Sequence, residues 1–385
     1  MTAMPVLRYA WEISRGNGVR TKSGLPKRRA LRRKAEFQHG FRDNPAVEAT
    51  INPSLKPGAK PSTDAIPAVS FFAGCGGLDL GVLGGFHFHR KYYEPLPFQI
   101  MGAYDNDPRA VETYRLNISE HAHVQDLETA DMETMPAAEV LFGGFPCQDF
   151  SSCGHKQGFS GPRGKLYKVM IEYMKVHRPK VVVGENVPLL AGMKGGTLLR
   201  TIVSELADAG YLVKTWFLNC PDYGLPASRR RIFIVCVRND LAGFPKEPPA
   251  THLFRPLTID EALDDLIPVT DESIPNQSQY FVATKATAGA GQGDQVSVRG
   301  EVAYAVRANA KARIHFHYEL DRRLTVRECA RLQSFPDEFV FPYAAGPNVI
   351  LIGNAIPPIV GHHVGRSIAA YVQELRQGNP RQRVA

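Results

Sequence analysis

The 385-residue chain predicts an α/β fold: a mainly parallel, doubly wound sheet with a smaller second domain. Three observations lead there. Short apolar runs that end in glycine or an acid alternate with amphipathic stretches of three-to-four spacing, which is the rhythm of βα units. Glycine-rich turns follow directly on such runs, at the strand ends where open parallel sheets bind their ligands. The length, at roughly 150 residues per domain, suits one large α/β domain with an insertion and excludes a single small module.

The elements follow in order. AVSFFAG, from near Pro67, is the first buried strand feeding a tight turn. FQIMGAY (Phe98 to Tyr104), AEVLFGGF (Ala138 to Phe145), PKVVVGENV (Pro179 to Val187), LVKTWFLN (Leu212 to Asn219) and RIFIVCVR (Arg231 to Arg238) repeat its pattern. PRAVETYRLN, GKLYKVMIEYMKVH and TLLRTIVSELADAG are the helices between them. From Asn239 to about Gly300 the chain is rich in Pro, Gly, Thr and Ser and loses the βα rhythm. Helical signal returns at TVRECARLQ (325–333), and GNAIPPIVGHHVGRSIAAYVQELR reads as a turn followed by a terminal helix. The expected divisions are a basic N-terminal extension over 1–65, the main sheet over 66–238, a variable region over 239–300, and a returning segment over 301–385.

Charge is unevenly placed. Residues 1 to 60 hold 13 Lys or Arg against 4 Asp or Glu, a charge of +9, and the remainder carries −1, so the whole excess behind the net +8 sits in that segment. With PKRRALRRK at its centre it reads as an arm able to neutralise phosphates, or as a solvated tail. No apolar run of membrane-spanning length and no secretory leader is visible, so a cytoplasmic protein is expected. Six cysteines without a CxxC pair argue against a disulfide scaffold or structural zinc. The paired histidines, such as His87/His89 and His362/His363, lack acidic or thiol partners at ligand spacing, and no metal is expected.

Chemistry concentrates at the strand ends. FFAGCGGLDLG (Phe71 to Gly81) is a turn whose backbone N–H groups can approach a ligand closely, and Asp105 and Asp126 end or follow the next strands. A glycine turn and two acids on successive strands favour a nucleoside-bearing cofactor, whereas each acid alone reads as a capping or surface residue. In GGFPCQDFSSCG, Cys147 follows a strand and a proline that fixes the local backbone, which aims its sulfur into the strand-end cleft. A thiol there is a nucleophile ready for activation; Cys75, Cys220, Cys236 and Cys329 lie in apolar or helical patterns and read as buried and inert.

At this point the chain resembles the DNA (cytosine-5)-methyltransferases of the bacterial modification type. FAGCGGLDLG, GGFPCQDFS, GENV, YGLPASRRRIFIV, RRLTVRECARLQSFP and GNAIPP occur in that family's order between Phe71 and about Val372. The resemblance implies a methyltransferase-like Rossmann sheet over 66–238, a target-recognition domain over 239–300, and late motifs that complete the catalytic domain over 301–385. It implies S-adenosylmethionine as methyl donor and double-stranded DNA as substrate, with a restriction endonuclease of the same specificity as cellular partner. Cys147 is the implied nucleophile at cytosine C6. Glu185 would hydrogen-bond N3 and the exocyclic amine, Asn186 belongs to the same catalytic set, and Arg231 would reach O2. The implied donor site comprises Phe72, Ala73, Gly74, Cys75, Gly77, Asp105, Asn106, Asp126, Leu127, Pro146, Leu166 and Asn354. Ser151, Ser152, Arg163, Lys165 and Arg229 would contact DNA. Asn106 stands where relatives often carry an aromatic that stacks on adenine, and Ala227-Ser228 where a Gln is common. The Gln148 to Gly164 loop has the glycine content of a mobile lid over a flipped base. Two alternative readings are a transfer-RNA cytosine-5 methyltransferase and a DNA-binding regulator that acts through the basic arm.

Overall fold

A computed structural model of the chain describes residues 64–146, 166–269, 295–308 and 315–378. Along them run β1 (Ile66–Phe71), α1 (Gly77–Leu83), the hairpin β2 (Phe86–Phe88) and β3 (Lys91–Tyr93), β4 (Phe98–Asp105), α2 (Pro108–Asn117), β5 (Ala122–Val124) and β6 (Val140–Gly143). Next come α3 (Tyr167–His177), β7 (Val181–Asn186), α4 (Leu189–Gly192), α5 (Thr197–Asp208), β8 (Tyr211–Asn219), β9 (Ala227–Ser228) and β10 (Arg230–Arg238). The remainder holds α6 (Ile259–Leu263), β11 (Gln295–Val296), β12 (Ala303–Tyr304), β13 (His315–Phe316), α7 (Val326–Leu332), α8 (Ala345–Asn354) and α9 (Pro358–Arg376).

Seven strands form one sheet in the order β5-β4-β1-β6-β7-β10-β8. Its strands are apolar on both faces because both are covered. Ile66 and Ala68 of β1 enter one core while Val69 and Phe71 enter the other; β6, β7 and β10 alternate in the same way. One core is closed by α1, α2, α7, α8 and α9, the other by α3 and α5. Helix starts follow their local chemistry. Asp107 caps α2 by accepting from the Arg109 backbone N–H, with Pro108 in the first turn. Thr325 and Glu328 form a capping box at α7. Helices α1 and α9 touch through glycine: a side chain on Gly81 would meet Pro358 O at 2.2 Å.

Three features depart from the sequence expectation. Strand β10 runs antiparallel to both β7 and β8; an apolar run reads alike in either direction, so composition cannot orient it. Strand β5 is a three-residue edge, too short to show a period. Helix α8, AGPNVILIGN, is apolar without a clean stripe and so carried no helical signature.

Candidate active site

Because β1, β4, β5, β6 and β7 are parallel, their carboxyl ends share one edge, and antiparallel β10 begins at that edge. The residues that sequence singled out therefore converge from six strands.

On one side of this edge, the turn after β1 is tied to β4. Phe72 takes a positive φ of 54°, Ala73 N donates to Tyr104 O at 3.0 Å, and Gly74 N donates to Asp105 Oδ2 at 2.8 Å. Asp107 N donates to Asp105 Oδ1 at 2.9 Å. Burial raises the Asp105 carboxyl above its ordinary range, although these amides oppose the rise. At Gly74, with φ +56°, the space a side chain would take is open, whereas at Gly77 a Cβ would lie 2.3 Å from Ile356 O. Cys75 contributes only its backbone to this turn: burial pushes its thiol up to about 12. Asn106 is exposed beside Asp105, and Asp126 is exposed after β5, accepting from Glu128 N at 3.0 Å while Leu127 is buried under it. Pro146 is half-buried, Leu166 is buried at the start of α3, and Asn354 is exposed at the end of α8.

On the other side, β7 delivers Glu185 and Asn186, both buried. Asn186 Nδ2 donates to Phe145 O at 3.1 Å, which fixes the backbone two residues before Cys147. Arg231 Nε lies 2.5 Å from Glu185 Oε1. The contact is an ion pair without hydrogen-bond alignment, since Oε1 has no hydrogen-bond donor among the described residues. Glu185 Oε2 lies 3.5 Å, and Ile356 Cδ1 3.4 Å, from the Cβ position of Gly144 in the turn after β6. A carboxylate paired with one arginine through Oε1, with Oε2 beside the turn that leads to Cys147, can bind a donor edge of a ligand. Cys147, Ser151, Ser152, Arg163, Lys165 and the proposed lid lie outside the described residues.

Arg229 is a correction. Expected at a DNA phosphate, it is 5% exposed, and its guanidinium donates to Val306 O, Gly353 O and Ala355 O at 2.9 to 3.3 Å. Donors committed to buried carbonyls cannot also contact a phosphate. Ile356 and Gln333 sit within recognised motifs but were assigned no role; only the packing of the late helices brings them to the site. Among the described residues, no group of three His, Cys, Asp or Glu is arranged to hold a metal, and no helix is long and apolar enough to cross a membrane.

The profile of C-5 cytosine-specific DNA methylases matches residues 66–289 and 275–370. The chain belongs to that family. The DNA cytosine-5 methylase is 30% identical to the type II methyltransferase M.NgoFVII of Neisseria gonorrhoeae over 327 residues, 75% of this chain and 83% of the relative. It is 28% identical to M.FnuDI of Fusobacterium nucleatum, over 78% of this chain and 93% of that one. Among solved structures, the Entamoeba histolytica methyltransferase EhMeth superposes with a TM-score of 0.60 at 17% identity, covering 80% of this methylase and 99% of that chain. The S. pombe Dnmt2 methyltransferase gives 0.58 at 18%, covering 81% and 99%. The methylase fold, with its one antiparallel strand, is the fold they share, and the enzyme methylates DNA cytosine at C5, as its type II modification relatives do.

Proposed function

We propose that the enzyme methylates one cytosine within a specific duplex sequence, with S-adenosylmethionine as donor, through a covalent bond from Cys147 to C6 of a base turned out of the helix. The observation that supports this most is the placement of the Glu185 carboxyl, with Oε1 against Arg231 and Oε2 beside the turn that leads to Cys147. Cytosine C5 is too weak a nucleophile to take a methyl group unaided. When the Cys147 thiolate adds to C6, the electron pair of the C5–C6 bond is displaced toward C5 and N3. The Glu185 carboxyl would hydrogen-bond N3 and the exocyclic amine, donating a proton to N3 when it carries one, while Arg231 would reach O2. After transfer a water molecule takes the C5 proton, the C5–C6 double bond re-forms as the Sγ–C6 bond breaks, any proton given to N3 returns to Glu185, and the thiolate is restored.

The turn from Phe72 to Gly77 fits a nucleoside-bearing donor: the backbone is open at Gly74, and acids stand at the ends of the two neighbouring strands. When bound there, S-adenosylmethionine supplies an electrophilic methyl group. Asp105 would take ribose hydroxyls with the acceptor capacity its two amides leave over, Asp126 the adenine amine, and Phe72, Leu127, Pro146, Leu166 and Asn354 would line the pocket. Turning out the base costs a few kcal/mol, which closure of the segment from Gln148 to Gly164 and contacts from Ser151, Ser152, Arg163 and Lys165 would offset. Sequence choice is placed in residues 239–300, with a restriction endonuclease of the same specificity as cellular partner and a nucleoid-associated, cytoplasmic location. Tritiated methyl transfer to duplex DNA, with transfer RNA as parallel substrate, tests the reading. The unaltered enzyme labels DNA and becomes trapped on a 5-fluorocytosine duplex. Retained labelling by Cys147→Ser, or preference for the RNA, overturns it.

A further inference from the structure

We propose that Arg229 and Gln333 are positioning residues that clamp the Ala355 carbonyl, and thereby fix the 354–356 turn as the wall setting the methyl-donor pocket against the base pocket. The inference rests on the function proposed above.

Two donors from distant parts of the chain meet on one oxygen. Arg229, just before β10, donates from Nη2 to Ala355 O at 2.9 Å; Gln333, just after α7, donates from Nε2 to the same oxygen at 2.7 Å. Both side chains are buried. The guanidinium also takes Gly353 O, through Nη1 at 3.2 Å and Nη2 at 3.1 Å, and Val306 O at 3.3 Å. Gly353 lies in the last turn of α8, where helical carbonyls have no partner within the helix and the helix dipole favours a cation. Arg229 therefore satisfies the end of α8, and with Gln333 it dictates where the chain goes next.

That next stretch faces both halves of the site. The carbonyl of Ile356 occupies the space beside Gly77 in the donor turn, 2.3 Å from where a Cβ would stand. Its side chain reaches the other way, with Cδ1 3.4 Å from the Cβ position of Gly144, a point that Glu185 Oε2 approaches to 3.5 Å. One residue thus touches the donor turn through its backbone and the base side through its side chain. Whatever holds Ala355 sets the separation of the two reactants, and a shift of about 1 Å in such a separation can cost roughly 100-fold in rate.

Loosening the clamp should slow methyl transfer and leave each half-site working. Addition of Cys147 to C6 lets C5 take a solvent proton, and reversal then releases the original C5 hydrogen, so tritium loss from 5-tritiated cytosine in duplex DNA reports the base half without any donor. Binding of S-adenosylhomocysteine by calorimetry reports the donor half. For Gln333→Met we expect single-turnover transfer to fall about 30- to 100-fold, with tritium release and S-adenosylhomocysteine affinity staying close to those of the unaltered enzyme. Arg229→Lys, which keeps the charge and part of the hydrogen bonding, should show the same split with a smaller loss. Parallel loss of all three readouts, or undiminished transfer in a folded Gln333→Met, overturns the proposal. Should Gln333→Met fail to fold, Ile356→Val, which removes one methyl group from the wall, must show the split or the proposal fails. Absence of tritium release from the unaltered enzyme would instead overturn the Cys147 reading.

Discussion

Asp105 and Glu185 are both carboxylates at the carboxyl ends of parallel strands in one sheet, and both are largely buried, yet their surroundings differ. Each oxygen of Asp105 already accepts a backbone N–H, from Gly74 and Asp107. Glu185 has an arginine at 2.5 Å and an oxygen that no hydrogen bond satisfies. A carboxylate bound by amides from its own loops shapes a pocket. One paired with a single arginine outside hydrogen-bond alignment keeps acceptor capacity for a partner that arrives with the substrate. On the proposed function, the donor half of the site is largely built by the fold, and the base half would be completed by the base.

Breaking the base half should have the largest effect. Cys147→Ser should lower methyl transfer by roughly 10⁴-fold or more, the order seen when a covalent nucleophile is lost, with donor binding unchanged by calorimetry. Glu185→Gln should follow at about 10² to 10⁴-fold, the usual contribution of a positioned acid, and should abolish tritium release from C5 as well as methyl transfer. If release survived in Glu185→Gln while transfer vanished, the carboxyl would serve the donor half and the contrast with Asp105 would collapse. Asp105→Asn should do less and do it elsewhere. An amide there faces one backbone N–H with another donor, so the turn at Gly74 loosens and donor affinity should fall about 10- to 100-fold, one to two hydrogen bonds' worth. Tritium release should be untouched.

How much of this was legible beforehand depended on the kind of feature. The strand-end glycines and Asp105 could be read as a set on successive strands, while the roles of Glu185 and Cys147 rested on the ordered motifs of the family, since one acid or thiol after an apolar run has several uses. The direction of β10 could not be read, since RIFIVCVR is symmetrical in its apolar pattern. Arg229 was misplaced for a related reason. In ASRRRIF three arginines in a row look equally solvent-facing, and nothing local says that the first is drawn inward by carbonyls at Val306, Gly353 and Ala355, all more than seventy residues away. Gln333 and Ile356 escaped notice likewise, because their partners are set by the packing of late helices on the first strands.

A third carboxyl sharpens the comparison from the opposite direction, and with the smallest effect. Asp79, in the first turn of α1, is fully buried under the donor turn and accepts from Ser70 Oγ and Tyr114 Oη, both at 2.8 Å. Burial outweighs these two donors and raises its pKa from 3.8 to about 6. The folded state therefore holds this proton more tightly than the unfolded chain, and stability from this group is greatest below pH 4 and is lost as pH rises towards 6. Above that pH the ionised side chain costs the fold on the order of 3 kcal/mol. Asp79→Asn removes that cost but leaves one hydroxyl proton without its acceptor, at about 1 kcal/mol, so a net gain of about 2 kcal/mol is expected at pH 7.5. At pH 4 the aspartate is already protonated, and the variant should be no more stable than the unaltered enzyme. Urea unfolding at the two pH values reads the difference directly. An equal gain at both, or a loss at pH 7.5, would mean that Ser70 and Tyr114 hold the charge well enough to cancel the effect of burial on Asp79.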